Sequence, residues 1–213
     1  MGTQTPDIVG NYGGNVSGSD NRNIGLDYSG WIDLFGFGTG DWPTNRSTSS
    51  FDYDTFSDWG ANAVSNGGNA PNLWRTLTKD EWDYLLDTRA NASDKKATGS
   101  VNGVHGLILL PDNWTLPSGC TFNAGLSSEV EDWSLNSYSL TQWAAMEAAG
   151  AIFLPAAGSR YVQRVDGVGV VGGYWSSTSN GEDNAYCLDF HGAEISTEYN
   201  TGCHFGLSVR LVH

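Results

Sequence analysis

The sequence predicts an α+β fold, built from two helices, many short strands and long loops. Three observations carry this. Two segments have helical apolar spacing, each bounded by its own cap residues. The remaining apolar runs are short and interrupted. Glycine, 28 of 213 residues, falls with Asn and Ser in small clusters that mark turns and irregular loops. Nine Trp, nine Tyr and eight Phe supply the apolar area for a sizeable core, and nothing in the chain reads as a linker, so residues 1–213 are expected to form one domain.

Met1–Asn23 is polar and Gly/Asn/Ser-rich, and residues 1–24 are expected to be a loose start. Gly25–Gly40 sets Tyr28, Trp31, Leu34, Phe35 and Phe37 among glycines, a pattern for backbone packed on ring faces. Asp41–Phe56 reads as a surface loop, and Asn66-Gly67-Gly68 as a turn. Thr78-Lys79-Asp80-Glu81 has the form of a capping box, in which the hydroxyl takes the Glu81 amide and Glu81 reaches back. Leu77 and Trp82 flank it as a hydrophobic staple. Trp82, Leu85, Leu86 and Arg89 then share one side, which predicts a helix over Lys79–Thr88.

Val101–Leu110 turns at Asn102-Gly103 and ends in Leu107–Leu110, a continuous apolar run suited to a buried strand. Thr115–Asn136 is expected to be mostly loop. The second helix is predicted over Thr141–Ala149, capped by Ser139 or Thr141 and stopped by Gly150. Ala151–Leu154 reads as a short strand closed by Pro155, and Gly-rich turns separate short strands from there onward.

The stretch Gly172–Val212 combines two kinds of position. Tyr174, Trp175, Tyr186, Leu188, Phe190, Leu207, Val209 and Leu211 are apolar and regular. Cys187, Asp189, His191, Tyr199, Asn200, Thr201, Cys203, His204 and Phe205 are chemically mixed. In Ala185–His191 the two sets alternate with the period of a strand. Tyr186, Leu188 and Phe190 are therefore expected to face the core, while Cys187, Asp189 and His191 face outward. This predicts arbitrary residues displayed on a rigid frame, for binding. Tyr161, Tyr174, Tyr199, His204 and Phe205 suit such a surface, Tyr174 having a core reading as well, because aromatic side chains give large contact area for little lost entropy.

The net charge of −14 argues against nucleic acid or an anionic membrane as partner. No apolar run is long enough to span a bilayer, and no signal peptide is seen at the start. Three cysteines, Cys120, Cys187 and Cys203, form no disulfide framework, and a Cys187–Cys203 bridge is left open. The glycosylation pattern N-x-[ST] occurs at Asn15, Asn45, Asn91 and Asn113, with little weight in a chain so rich in Asn and Ser.

The blocks YSGWIDLFGFGT, WRTLTKDEWDYLLDTR, NGVHGLILLPDNW, MEAAGAIFLPAAGSR, GYWSST, NAYCLDF and GLSVRLV occur in that order between Gly25 and Val212. Together they resemble the Fibrobacter succinogenes major paralogous domain family of gut bacteria. That resemblance implies a C-type lectin-like fold of the formylglycine-generating-enzyme branch, with two helices, a small twisted antiparallel sheet and extensive ordered loops. It also implies an extracellular or cell-surface location. The C-terminal part resembles the variable proteins of diversity-generating retroelements, which share this fold. In those systems adenines of a template repeat are rewritten, and Asn codons AAC and AAT are the usual targets. Such codons can yield Cys, Asp, His, Tyr, Asn, Thr, Gly and Phe, but not Glu, Lys, Gln, Met or Trp.

The resemblance thus implies a variable ligand-binding region over 158–212. Its candidate binding residues are Tyr161, Cys187, Asp189, His191, Tyr199, Asn200, Thr201, Gly202, Cys203, His204 and Phe205. At Cys203, family members often carry Arg. Glu182, Glu194 and Glu198 fall outside the codon set and mark fixed positions or a departure from the usual template. The expected partner is a protein or a cell-surface glycan, and the expected state a monomer, without cofactor or catalytic residues.

Other chemistries find less support. The lectin calcium motifs Glu-Pro-Asn and Trp-Asn-Asp do not occur. A copper oxidase like the formylglycine-generating enzyme would need Cys187 and Cys203 as a reactive pair, and residues 204–212 read HFGLSVRLV in place of that enzyme's motif. Zinc held by Cys187, His191, Cys203 and His204 matches no known spacing. No G-x-S-x-G elbow is present. His105 and Arg210 have structural readings, and Asp80, Glu81 and Asp83 are helix-start charges. An undiversified paralogous surface domain with a structural or adhesive role remains the alternative.

Overall fold

The computed structural model describes residues 34–40, 56–62, 70–161 and 164–213. The expectations for residues 1–24, Tyr28, Trp31, the turn at Asn66, and Asn15 and Asn45 lie outside them. Within them the chain is α+β, with two α-helices and several small, mainly antiparallel sheets.

Helix α1 (Lys79–Asp83) starts as its sequence dictates. Thr78 accepts the Glu81 amide, and the Glu81 carboxylate accepts the Thr78 amide at 2.9 Å. The helix then widens into a π turn over Tyr84–Thr88, so the helical segment ends where predicted. Arg89 follows it and is buried, donating to the Leu110 carbonyl at 2.9 Å and pairing with Asp112. Helix α2 (Leu140–Ala148) is capped by Ser139, with Gln142 closing the box. Gly150 then turns at φ +96°, a conformation that strains side chains with a Cβ.

Strand β1 (Arg75–Thr76) pairs with β12 (Leu211–Val212), joining the middle of the chain to its end. Strands β2 (Lys96–Val101) and β3 (Val104–Leu109) form a hairpin across the Asn102-Gly103 turn. β4 (Ser137–Tyr138) adds in parallel to β2, and β5 (Ile152–Pro155) in antiparallel to β3. Pro155 is the last paired residue of β5, opposite Gly106, rather than its stop. A ribbon of β6 (Ser159–Tyr161) and β7 (Arg164–Asp166) follows.

The second four-stranded sheet is centred on β9 (Asn184–His191). β8 (Gly172–Ser179) lies along one side of it. β10 (Glu194–Ser196) and β11 (Asn200–Gly202) share the other side, one at each end. The extended segment Gly206–Ser208 then runs beside β8, bridging to Tyr174, Arg160 and Phe35.

The main core lies between the two four-stranded sheets. Leu107 and Leu109 of β3, Leu188 and Phe190 of β9, and Trp82 and Leu86 of the α1 segment meet there. The other side of β3 carries Ile108 against Trp143 and Met146 of α2. Burial on both faces explains the unbroken apolar run of Leu107–Leu110. Two sheets facing one core replace the single small sheet that was expected. Gly172 is required where β8 crosses β9, because a Cβ there would lie 2.0 Å from the Phe190 ring.

Candidate functional site

β9 is also covered on both faces. Its even-numbered positions Leu188 and Phe190 enter the main core, as alternation predicts. Its odd-numbered positions Ala185 and Cys187 enter a separate apolar cluster with Trp175, Phe37, Cys203 and Leu207. The expectation that Cys187 is displayed is therefore corrected, since it is 1% exposed. Cys203 is corrected likewise, at 3% exposed. The cover comes from Phe37 and Leu207, which are distant in sequence and join through paired hydrogen bonds between Phe35 and Leu207. Tyr186, expected in the core, is half-buried beneath the ammonium of Lys79.

Both thiols are free. In the β9–β11 ladder Tyr186 faces Asn200 and Asn184 faces Gly202. Extending that register sets Cys203 about four residues along the strand from the position opposite Cys187, roughly 13 Å at strand rise. That exceeds the reach of a disulfide. Burial raises the Cys187 thiol well above its ordinary range, with Asp189 adding to the effect. Burial, then Asp183, pushes Cys203 up to about 11. Both are thiols at neutral pH, which leaves them poor nucleophiles and metal ligands. Among the described residues no three His, Cys, Asp or Glu side chains converge as metal ligands would.

Towards its end, this face of β9 opens into a pocket of ≈ 130 Å³. Asp189 pairs with Gly173 of β8 and both line the pocket, while the Leu207 side chain packs over Gly173, where a Cβ would lie 2.9 Å from it. Val171, Leu207 and Phe205 give apolar walls, with Cys187 beside them. Ser159, Thr201 and Tyr199 add polar groups. Burial raises the Asp189 pKa, partly offset by the charge of His191 and reinforced by Glu194. Tyr199 is raised by burial and by the nearby Asp189 and Cys187.

Beside the pocket three rings pack together. Tyr161 lies 4.9 Å from Phe205 and 5.6 Å from His204, and the last two are 5.0 Å apart, centroid to centroid. The turn after β11 brings His204 and Phe205 to the outer end of β6. Burial, and then the charge of Arg160, lowers the His204 pKa, which favours the neutral ring. Tyr161 and Tyr199 are 43% and 50% exposed, so the pocket has an aromatic rim.

Of the eleven predicted residues, Cys187, Asp189, Tyr199, Thr201 and Phe205 line the pocket, and Tyr161 and His204 extend it through the ring cluster. His191 lies further along β9, accepting the Ala193 amide at 3.2 Å and standing 3.4 Å from Glu194. Asn200 is exposed on β11, outside the pocket. Gly202 lies outside the pocket, and a Cβ there would meet the end of the His204 side chain at 2.5 Å. Ser159, Val171, Gly173 and Leu207 complete the lining without having been predicted as site residues. The Gly172-Gly173 doublet marks where the Phe190 ring and the Leu207 side chain pack onto β8.

His105 has the structural role expected of it, donating from Nδ1 to the Gly169 carbonyl at 2.8 Å and stacking on Trp133. Among the described residues no helix is long and apolar enough to cross a membrane. No protein-family model, no curated protein and no solved structure gives a significant match to this chain.

Proposed function

We propose that this chain is a non-enzymatic binding protein of C-type lectin-like fold, displaying a diversified surface at the cell exterior. One observation carries the reading. Residues expected to vary, drawn from β6, β9, β11 and the turn after it, gather around one pocket and its aromatic rim. The buried set beneath them, Trp175, Leu188, Phe190 and Leu207, holds that surface in place. A few aromatic anchors on a preorganised frame can give tight, specific binding without new secondary structure. The ligand class proposed is an exposed protein surface or a cell-surface glycan.

The deciding experiment is to sequence the DNA flanking the gene. A near-copy of the codons for 158–212, with AAC or AAT at Asp189, Tyr199, Thr201, His204 and Phe205 and a reverse transcriptase beside it, is the expected result. Absence of both would overturn diversification. A second reading, a fixed paralogous surface domain, is favoured at Cys187 and Cys203, which serve the frame rather than the display. If a partner is captured and the fourfold change of Tyr161, Tyr199, His204 and Phe205 to Ala leaves its binding intact, the proposed face is wrong.

A further inference from the structure

The Asp189 pocket is a site of defined chemistry within that face. Its carboxylate makes no side-chain hydrogen bond and no ion pair among the described residues. No lysine or arginine lines the pocket. A half-buried carboxylate held without a partner is costly, and that cost is relieved by any cation that enters. His191, two residues along the strand, offsets part of that cost by its charge, but its ring is engaged by the Ala193 amide and Glu194 and does not line the pocket. The surrounding walls suit the rest of a long cationic side chain. Val171 and Leu207 offer apolar contact for a methylene stem, and Phe205 and Tyr199 offer ring faces for a charged head. At ≈ 130 Å³ the cavity is well below the roughly 300–1,000 Å³ of small-molecule sites, which fits one inserted side chain. The exposed Tyr161 and Tyr199 provide surface around the opening for the backbone that carries that side chain.

We infer that this pocket receives a lysine or arginine side chain of a protein partner, with Asp189 as its counter-ion. The inference rests on the binding-protein reading and names the partner's anchoring group. The net charge of −14 adds long-range attraction for a basic partner.

The test is an NMR titration of the ¹⁵N-labelled protein with Nα-acetyl-lysine amide and Nα-acetyl-arginine amide. The neutral isosteres Nα-acetyl-norleucine amide and Nα-acetyl-citrulline amide serve as controls. The cationic probes are expected to shift the amide signals of Gly173, Asp189 and Thr201 with millimolar Kd, and the isosteres to leave them in place. D189N should weaken the cationic probes by about tenfold or more, because one partner of a desolvated charge pair is gone. The spectrum itself reports whether that variant is folded, and the contrast of charged and neutral probes on the unmodified protein needs no variant. Equal response to charged and neutral probes, or no shift at the three amides, overturns the inference. Shifts confined to Tyr161 and His204 and indifferent to D189N overturn the pocket while leaving the face standing. The flanking-DNA comparison judges diversification independently of either outcome.

Discussion

Cys187 turns its thiol into the cluster with Trp175, Cys203 and Leu207, where burial keeps it protonated. Cys203 and Cys120 are buried as well. A buried thiol reacts slowly with disulfide reagents. The folded protein should therefore show almost no titratable thiol in Ellman's assay at neutral pH. All three cysteines should appear in denaturant without reductant. A single thiol under those conditions would mean a disulfide, contrary to the ladder spacing. Phe190 is the opposite kind of residue, a ring whose whole role is packing. It is fully buried, stacks near-parallel to Tyr174, meets Trp133 edge-on and fills the space above Gly172. Phe190→Ala should cost about 3–5 kcal/mol, from lost transfer energy and the cavity left behind. Urea unfolding should show this as a lower midpoint at unchanged slope; a loss under about 1 kcal/mol would place the ring outside the core.

At the scale of elements, both helices were legible because their signals are local. Thr78 with Glu81, and Ser139 with Gln142, satisfy amides within three residues of themselves, so nothing distant decides where the helices start. α1 is short and depends on that start. Thr78→Ala should lower stability by about 1 kcal/mol, and Thr78→Ser should restore most of it, since the cap needs only the hydroxyl. Thermal unfolding of the two variants checks this, and equal loss in both would point to the methyl group of Thr78 instead of its cap. β9 shows the converse. Its alternation identified which residues share a face, and Leu188 and Phe190 lie inside as read. Alternation says nothing of what covers the second face. Here Phe37 and Leu207 do so, through a pairing that joins residues far apart in the chain. Cys187 therefore went inside while Asp189, two residues on, lines the pocket with Gly173.

At the scale of the whole molecule, the pocket draws on residues from Ser159 to Leu207 in several segments, and only those with unusual chemistry for a strand or turn stood out in the sequence. Ser159, Val171 and Leu207 look like ordinary frame residues until the fold sets them side by side. The charge balance is also a property of the whole chain, and it makes acid stability a contest. Lowering the pH protonates some of 24 carboxylate side chains and relieves the self-repulsion of a net charge of −14, which favours the compact state. Protonating Asp189 helps in the same direction, because its pKa is raised by folding. Glu81 opposes both. Arg75 donates to its two oxygens at 2.6 and 2.5 Å and the Thr78 amide donates as well, which holds its pKa down at about 2 against an ordinary 4.5. A carboxylate with a lowered folded-state pKa stabilises the fold above its unfolded value, and that contribution fades as pH falls through the window toward the folded value. Glu81→Gln removes the charge yet keeps an oxygen for the Thr78 amide, so the capping box survives. Urea midpoints should place this variant below the unmodified protein near pH 5. The gap should close as the pH falls from about 4.5 to about 2. A gap that stays constant across that window would show that Glu81 acts through its hydrogen bonds alone, and that its pairing with Arg75 contributes nothing to acid sensitivity.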